Sequence, residues 1–436
     1  MRVRRGRLVA ALLSGFVVLA ACGSGGQAAD QTVTSFVTAG SAPAGISSSV
    51  GSSAPASSGG SSTAASGSAA SGGAASSAAG SSSATSSGAG SSAAPSGAAL
   101  SDGFVPTKLK AGEKPPQFIV VSFDGVGWHE KWQHWFGVAK QVPFHFTGFL
   151  SGTYMLSDQT KMAYQGPGHS PGKSSISWNS ATDLPVEIAD LNEAYTSGNE
   201  IGSHFNGHFC AGAEPSGNQW TTADWNNELD QFFSLVKNVK KNNPGVTMPD
   251  LKFDGSVVKG ERTPCLEGHA EDLFPALTAH NMTYDSSFTR TGIAWPKKSP
   301  QNGIWGMGMA TFPIHGTDHQ QITMDYNFYY SQRQASSTGV TQAQSDTDAA
   351  QVQGTYDDMY NAAYNGNRAP LILGNHFNAW NNNAYEKALT GFVLDKCGQP
   401  NTHCVPFRDV IAWMEMQDPS VLAGLQNLPP ETGPRT

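Results

Sequence analysis

The chain has 436 residues, with 26 Lys and Arg against 34 Asp and Glu, so its formal net charge is −8. This acidic balance argues against a nucleic-acid partner, because such partners are bound by clustered positive charge. Beyond the N-terminal 22 residues no run of about 18 apolar residues occurs, so no transmembrane helix is predicted.

The N-terminus, MRVRRGRLVAALLSGFVVLAAC, is basic and then apolar, which is typical of a secretory signal. Its last residues, from Leu19 to Cys22, resemble a bacterial lipobox, although an ordinary signal peptide with a chance cysteine is the alternative. We therefore predict a lipoprotein signal peptide over residues 1–22, with Cys22 as the lipidated residue. The protein is then expected to be exported and lipid-anchored on the outer face of the bacterial cell membrane.

Residues 23–105 are mostly Ser, Ala and Gly and cannot bury enough apolar surface to fold, so we predict a disordered linker. This linker either holds a domain away from the membrane or is a neutral spacer. One folded domain is predicted over residues 106–422, followed by a disordered tail over 423–436.

Four cysteines lie within the predicted domain, and an even number in an exported protein predicts two disulfides. Cys397 and Cys404 bracket the turn-rich GQPNTH, which leaves Cys210 to pair with Cys265.

Apolar, β-rich runs alternate with helical patterns along the domain, which predicts an α/β fold with a mostly parallel sheet. Seven strand candidates are compatible with a barrel or with an open sheet. In both architectures, reactive residues lie at the C-terminal ends of the strands. The polar residues in those positions are Asp124 after IVVSF, His204 and His208 after EIGS, Arg262 after VVKGE, Asp285 after MTY, and His376 after LILGN.

The spacing of His204 and His208 places both imidazoles on one side of a helical turn. Two neutral imidazoles so placed can hold a Zn²⁺-like ion if a third ligand comes from elsewhere.

These segments, in this order, resemble the motifs of the polysaccharide deacetylase family, which has the NodB-homology fold. SFDG resembles the first motif, TFDDG; GNEIGSHFNGH resembles the second, in which H-[S/T]-x-x-H follows a Gly-x-Glu-Ile-Gly run. ERTPC resembles the third, R-x-P; TYDSS resembles the fourth as found in the chitin-deacetylase-like branch; LILGNH resembles the fifth. The resemblance spans residues 118–376 and implies a distorted (β/α) barrel of about seven parallel strands.

The resemblance also implies a reaction, the metal-dependent removal of acetyl from the N-acetylated glycan of a cell wall or a related polysaccharide. The cofactor it implies is a divalent metal, with Zn²⁺ as the expected ion, because such an ion lowers the pKa of bound water to about 7. The implied roles are Asp124 as general base, His204 and His208 as metal ligands, Arg262 as the partner of the base, His376 as general acid, and Asp285 as the carboxylate that orients it.

Two positions depart from the family pattern. Gly125 stands where the family has its metal-binding Asp, and Phe205 stands where it has Ser or Thr. Either Asp124 itself binds the metal, or another loop supplies a ligand, with His169 as a candidate, or the metal site is weak or lost. The last case corresponds to the alternative function, a catalytically impaired glycan-binding lipoprotein on the same fold.

Aromatic side chains near the predicted site suit a sugar ligand, because aromatic faces stack on pyranose rings. Trp128 and Trp380 each lie four residues after a candidate catalytic residue and are predicted to bind substrate. The G-x-S-x-G match around Ser170 is rejected as a serine-hydrolase elbow, because the oxyanion donor would be Pro171, which has no N–H.

Overall fold

The computed structural model describes residues 97–110 and 112–435, so the signal peptide, Cys22 and most of the predicted linker lie outside the described residues. The helices are α1 (His129–Ala139), α2 (Leu184–Thr196), α3 (Thr222–Lys237), α4 (Val239–Asn242), α5 (Ala270–Ala279), α6 (Asp325–Arg333), α7 (Gln342–Asn365), α8 (Trp380–Lys396), α9 (Phe407–Met416) and α10 (Pro419–Gln426). Within the described residues, none of these helices has the length and apolar character that crossing a membrane requires.

The strands of the described residues form one large sheet and one small one. They are β1 (Gln117–Asp124), β2 (Thr147–Leu150), β3 (Glu200–Ser203), β4 (Gly260–Glu261), β5 (Tyr284–Asp285), β6 (Arg290–Thr291), β7 (Lys297–Lys298), β8 (Trp305–Gly306), β9 (Ala310–Pro313), β10 (Gln320–Ile322), β11 (Leu371–His376) and β12 (Thr402–Cys404).

The large sheet runs in the order β11-β1-β2-β3-β4-β5-β8-β7, and β12 also pairs with β1. From β11 to β8 every neighbouring pair is parallel, which confirms the prediction of about seven parallel strands. The sheet is curled into a half-barrel, with β7 added antiparallel at one edge. The small sheet, β10-β9-β6, lies in the chain between β5 and β11.

Strand β1 is central, and all eight of its residues are buried. Its apolar run FIVVSF is continuous rather than alternating because helices and loops cover both faces of a parallel sheet. Helix α1 is held against this strand by aromatic packing, in which the rings of Phe123 and Trp135 lie 4.8 Å apart. This packing fixes the C-terminal end of β1, where Asp124 lies.

Both predicted disulfides are present, Cys210–Cys265 and Cys397–Cys404. The second closes a short loop beside β12. The first joins the loop after β3 to the loop after β4, and both of these loops carry predicted site residues.

The predicted domain boundaries were too narrow at both ends. In the predicted linker, Leu100 is buried and the ring of Phe104 stacks on His403 at 4.0 Å. The tail predicted to be disordered over 423–436 instead completes α10 and then forms an antiparallel bridge between Glu431 and Ile293. Composition could not predict this docking, because both segments are held by contacts with residues that lie far away in the chain.

Candidate active site

The C-terminal ends of β11, β1, β3 and β4 lie along one edge of the large sheet. Asp124 and His376 are register partners on adjacent strands, and Ser203, just before His204, pairs with Glu261, just before Arg262. The structure therefore brings together four of the predicted site residues from four separate strands.

Asp124 and Arg262 form a buried ion pair. Arg262 donates from one terminal nitrogen to Asp124 Oδ1 at 2.8 Å, and the Arg262 side chain is fully buried. Its remaining nitrogens donate to the Ser286 carbonyl and hydroxyl at 3.2 and 2.8 Å, and its plane lies 4.8 Å from the Phe149 ring. Each of the three guanidinium nitrogens thus donates a hydrogen bond to a group of the fold.

The pKa of Asp124 is lower than its ordinary value. Burial raises it, but the Arg262 charge, together with smaller effects of the His204 and His376 rings and of the Arg262 hydrogen bond, outweighs burial. Asp124 is therefore an ionised carboxylate, with Oδ1 on Arg262 and Oδ2 facing the Nε2 of His376 at 3.9 Å.

His376 is oriented by Asp325, the first residue of α6. Its Nδ1 lies 2.7 Å from Asp325 Oδ1, and its backbone N–H donates to Asp325 Oδ2 at 2.8 Å. Burial lowers the pKa of His376, but Asp325 and then Asp124 reverse the effect, so the pKa is raised. His376 is thereby favoured as an imidazolium with Nε2–H aimed toward Asp124.

The prediction that Asp285 orients His376 is therefore wrong. Asp285 ends β5, which is separated from β11 by four strands in the sheet order. It instead accepts from the Ser287 backbone N–H at 3.0 Å and lies against the buried carboxyl of Glu261. Burial raises the pKa of both carboxyls, which lets them share a proton.

A signal for Asp325 was present in the sequence. Met324 forms a parallel bridge with Gly374, and the Gly374 N–H donates to the Thr323 carbonyl at 3.1 Å. The run QITMD therefore delivers an Asp beside β11 in the same way that IVVSFD delivers Asp124, but its apolar part is short.

His204 and His208 do not lie on a helical turn, as their spacing predicted. They lie in an irregular segment, residues 204–216, here called the histidine loop, in which Phe205 and His208 both have a φ of 53°. The two rings nevertheless come together, with centroids 5.2 Å apart. Phe205 points into the core, where its ring packs 4.9 Å from Trp225.

Both histidines are in the form that binds metals. The Nδ1 of His204 donates to the Arg262 carbonyl at 2.7 Å, which leaves a lone pair on Nε2. Burial lowers the pKa of His204, and it lowers that of His208 to about 3, so both imidazoles are neutral.

The donor types of these residues suit a divalent ion, because two neutral imidazoles and a carboxylate are ligands that Zn²⁺ binds. Among the described residues, however, the one group of three or more His, Cys, Asp or Glu whose ligand atoms all lie within 4.8 Å of one another is His208 with the disulfide-bonded Cys210 and Cys265. His169 does not join them, because its ring stacks on Phe209 at 3.6 Å and its Nε2 lies 2.9 Å from the Pro215 carbonyl.

The two predicted sugar-binding tryptophans differ in position. Trp380 lies beside His376 with ring centroids 5.2 Å apart and stacks on Tyr329. Trp128 is 40% exposed at the start of α1, with the Lys131 ammonium over its ring.

Glu228, on α3, holds the histidine loop from behind. Its carboxyl accepts from the Asn206 N–H at 3.1 Å and from the Tyr164 hydroxyl at 2.9 Å. Burial raises the pKa of Glu228 to about 7, although the hydrogen bonds from Tyr164 and Asn206 oppose the rise.

This shift predicts a pH-dependent stability. The native state keeps the Glu228 proton up to about pH 7, whereas the unfolded chain loses it near pH 4.5. The free energy of unfolding should therefore fall by roughly 3 kcal/mol as pH rises through this window. Urea unfolding with a chelator present should show a smaller fall in Glu228→Gln. The exposed control Glu271→Gln should behave as wild type, and an unchanged slope in Glu228→Gln would contradict the assignment.

In comparisons with known proteins, the chain is similar only to solved structures. No family model matches the chain, and no curated protein matches it. The structural neighbours are family 4 carbohydrate esterases and polysaccharide deacetylases, and they include pseudoenzymes, at low sequence identity.

A protein named as a polysaccharide deacetylase from Mycobacterium smegmatis is 14% identical, with a TM-score of 0.43, over 76% of this chain and 98% of that one. The family 4 carbohydrate esterase from Streptomyces lividans, solved with acetate, is 11% identical, with a TM-score of 0.32, over 66% and 91%. A family 4 pseudoenzyme from Bacillus anthracis is 8% identical, with a TM-score of 0.34, over 74% and 68%.

Proposed function

We propose that this protein is a metal-dependent hydrolase that removes N-acetyl groups from a cell-wall or related polysaccharide. In this proposal Cys22 carries a lipid that holds the enzyme on the outer face of the bacterial membrane. The observation that carries the activity is the row Arg262, Asp124, His376 and Asp325, in which the Asp124 carboxylate faces the Nε2 of His376 and Asp325 holds the other ring nitrogen.

Each member of the row has a role in amide hydrolysis. A bound divalent ion would activate water and polarise the acyl oxygen, and His204 and His208 would hold it. Asp124 accepts a proton from the attacking water, since Arg262 keeps its carboxylate ionised. His376 donates a proton from Nε2 to the leaving amine, while Asp325 holds Nδ1 and stabilises the imidazolium.

Aromatic side chains at the same edge of the large sheet would orient the substrate. Trp380 lies next to the proton donor, so a pyranose ring stacked on it would place its N-acetyl group near His376. The net charge of −8 suits a neutral N-acetylated glycan better than an acidic polymer.

The test is acetate release from N-acetylglucosamine oligomers by the purified chain. A chelator should abolish release and Zn²⁺ should restore it, whereas the double variant His204→Ala/His208→Ala should neither bind Zn²⁺ nor release acetate. The exposed His319→Ala is the control and should behave as wild type. A wild-type protein that binds Zn²⁺ and the oligomer but releases no acetate would instead support the glycan-binding alternative.

A further inference from the structure

The disulfide between Cys210 and Cys265 lies beside His208. The Nδ1 of His208 is 3.6 Å from Cys210 Sγ, and the ligand atoms of the three residues all lie within 4.8 Å of one another. While the two sulfurs are bonded to each other, neither is a thiolate that binds an ion. Reduction of the bond would place two thiol groups next to an imidazole, and two thiolates with one imidazole are a ligand set that Zn²⁺ binds.

The two disulfides of the domain differ in their access to solvent. Cys265 is exposed, whereas Cys397 and Cys404 are 5% and 0% exposed. A thiol reductant attacks a disulfide sulfur directly, so the rate of reduction depends on access to that sulfur. A soluble dithiol should therefore open Cys210–Cys265 in the folded protein more readily than Cys397–Cys404.

Other contacts hold the two loops together when this bond is opened. The carboxyl of Glu267 accepts from the Ala211 N–H at 2.7 Å and from the Ser216 hydroxyl at 2.8 Å. The Gly268 N–H donates to the side-chain oxygen of Asn218 at 3.1 Å. These hydrogen bonds join the loop after β4 to the histidine loop and to the turn that follows it. The two cysteines should therefore remain neighbours after reduction.

The spacing of the ligand atoms suits a tetrahedral ion. With a Zn–N distance of about 2.0–2.1 Å and a Zn–S distance of about 2.3 Å, a nitrogen and a sulfur on one ion lie roughly 3.5 Å apart. His208 Nδ1 and Cys210 Sγ are already 3.6 Å apart. Two sulfurs on one ion lie roughly 3.8 Å apart, a separation that Cys265 gains by turning its exposed side chain once the bond is broken. The fourth position is left for water.

We propose that a dithiol reductant converts Cys210, Cys265 and His208 into a binding site for a soft divalent ion such as Zn²⁺ or Cd²⁺. In the first step the dithiol gives two electrons and two protons to the Cys210–Cys265 bond and becomes a disulfide itself. In the second step the ion displaces one proton from each thiol, and these protons pass to solvent. The inference goes beyond the proposed function and does not rest on it, since neither step involves the glycan or the Asp124 carboxylate.

The test uses Co²⁺ as the probe, because thiolates bound to this ion give a charge-transfer absorption that nitrogen and oxygen ligands do not. The full chain carries Cys22→Ser, which leaves only the four disulfide cysteines. It is treated with dithiothreitol without denaturant, and the reductant is removed anaerobically before titration. Alkylation should then find free thiols at Cys210 and Cys265 alone, and Co²⁺ should produce the absorption in the reduced chain but not in the oxidised chain.

Three variants test the ligand set. His208→Ala should weaken Co²⁺ binding by the reduced chain by roughly 10-fold or more, since even a group that only supports a metal ligand contributes that much. The control His269→Ala removes an exposed imidazole close to Cys265 in the chain and should bind as wild type. Cys265→Ser keeps His208 in place and should leave a weaker absorption, because one thiolate remains. Circular dichroism shows whether each protein is folded.

The outcomes decide the inference without reference to catalysis. It is wrong if the reduced, folded chain shows no charge-transfer absorption, or if His208→Ala binds Co²⁺ as tightly as wild type. Unfolding on reduction would also overturn it, because the loops would then not keep the two cysteines together. Acetate release by the oxidised chain tests the proposed function separately, so either proposal can fail while the other stands.

Discussion

Asp325→Asn is expected to lower kcat by about 10²–10⁴-fold, the range that a positioned proton donor contributes. Asp325 holds Nδ1 of His376 at 2.7 Å and, after burial, is the largest influence on its pKa. An amide removes the charge that stabilises the imidazolium, so the pKa of His376 falls. Because His376 must be protonated to donate, the alkaline limb of the pH–rate profile should move to lower pH, which acetate release across pH measures.

Asp285→Asn is the matched control for this prediction. Asp285 is as deeply buried as Asp325 and also lies at the sheet edge, but it bonds to Ser287 and Glu261 rather than to His376. Its replacement should leave the alkaline limb in place and change mainly the free energy of unfolding. A shifted limb in Asp285→Asn with an unshifted one in Asp325→Asn would return the orienting role to Asp285.

The contrast between these two carboxylates shows what a linear pattern can predict. The end of an apolar run marks the end of a buried parallel strand. Asp124, His204, Arg262 and His376 each follow such a run, so their place at one edge of the sheet could be predicted. The order of the strands across the sheet is not local information. Asp285 follows a strand as those residues do, yet the chain enters β5 far from β11 in the sheet order.

For the two histidines, the predicted local conformation was wrong, but the prediction that their rings lie close together was right. Their closeness does not require a helical turn. A spacing of four suggested a helical turn, but the histidine loop is irregular and has left-handed residues. Glu228, Tyr164 and the Cys210–Cys265 bond shape this loop, and they are contributed by distant parts of the chain. Those contacts, like the docking of residues 97–105 and 423–435, depend on long-range packing that composition does not reveal.

Arg262→Met is expected to destabilise the protein by about 3–5 kcal/mol, because it leaves Asp124 as a buried charge without its partner. The Ser286 carbonyl and hydroxyl lose their donors in the same step. Urea unfolding measures the free energy, and acetate release should also fall, since burial then raises the pKa of Asp124 and favours its protonated form, which cannot accept a proton.

The double variant Asp124→Asn/Arg262→Met separates the two effects. Removing both charges should recover part of the stability lost in Arg262→Met, since no unpaired buried charge remains. Activity should stay lost, because no carboxylate is left to accept the proton. Buried ion pairs often contribute little net stability, so recovery of stability without activity would show that this pair serves chemistry. If the double variant is no more stable than Arg262→Met, the stability lost in Arg262→Met does not come from an unpaired charge on Asp124, and this explanation of its instability is wrong.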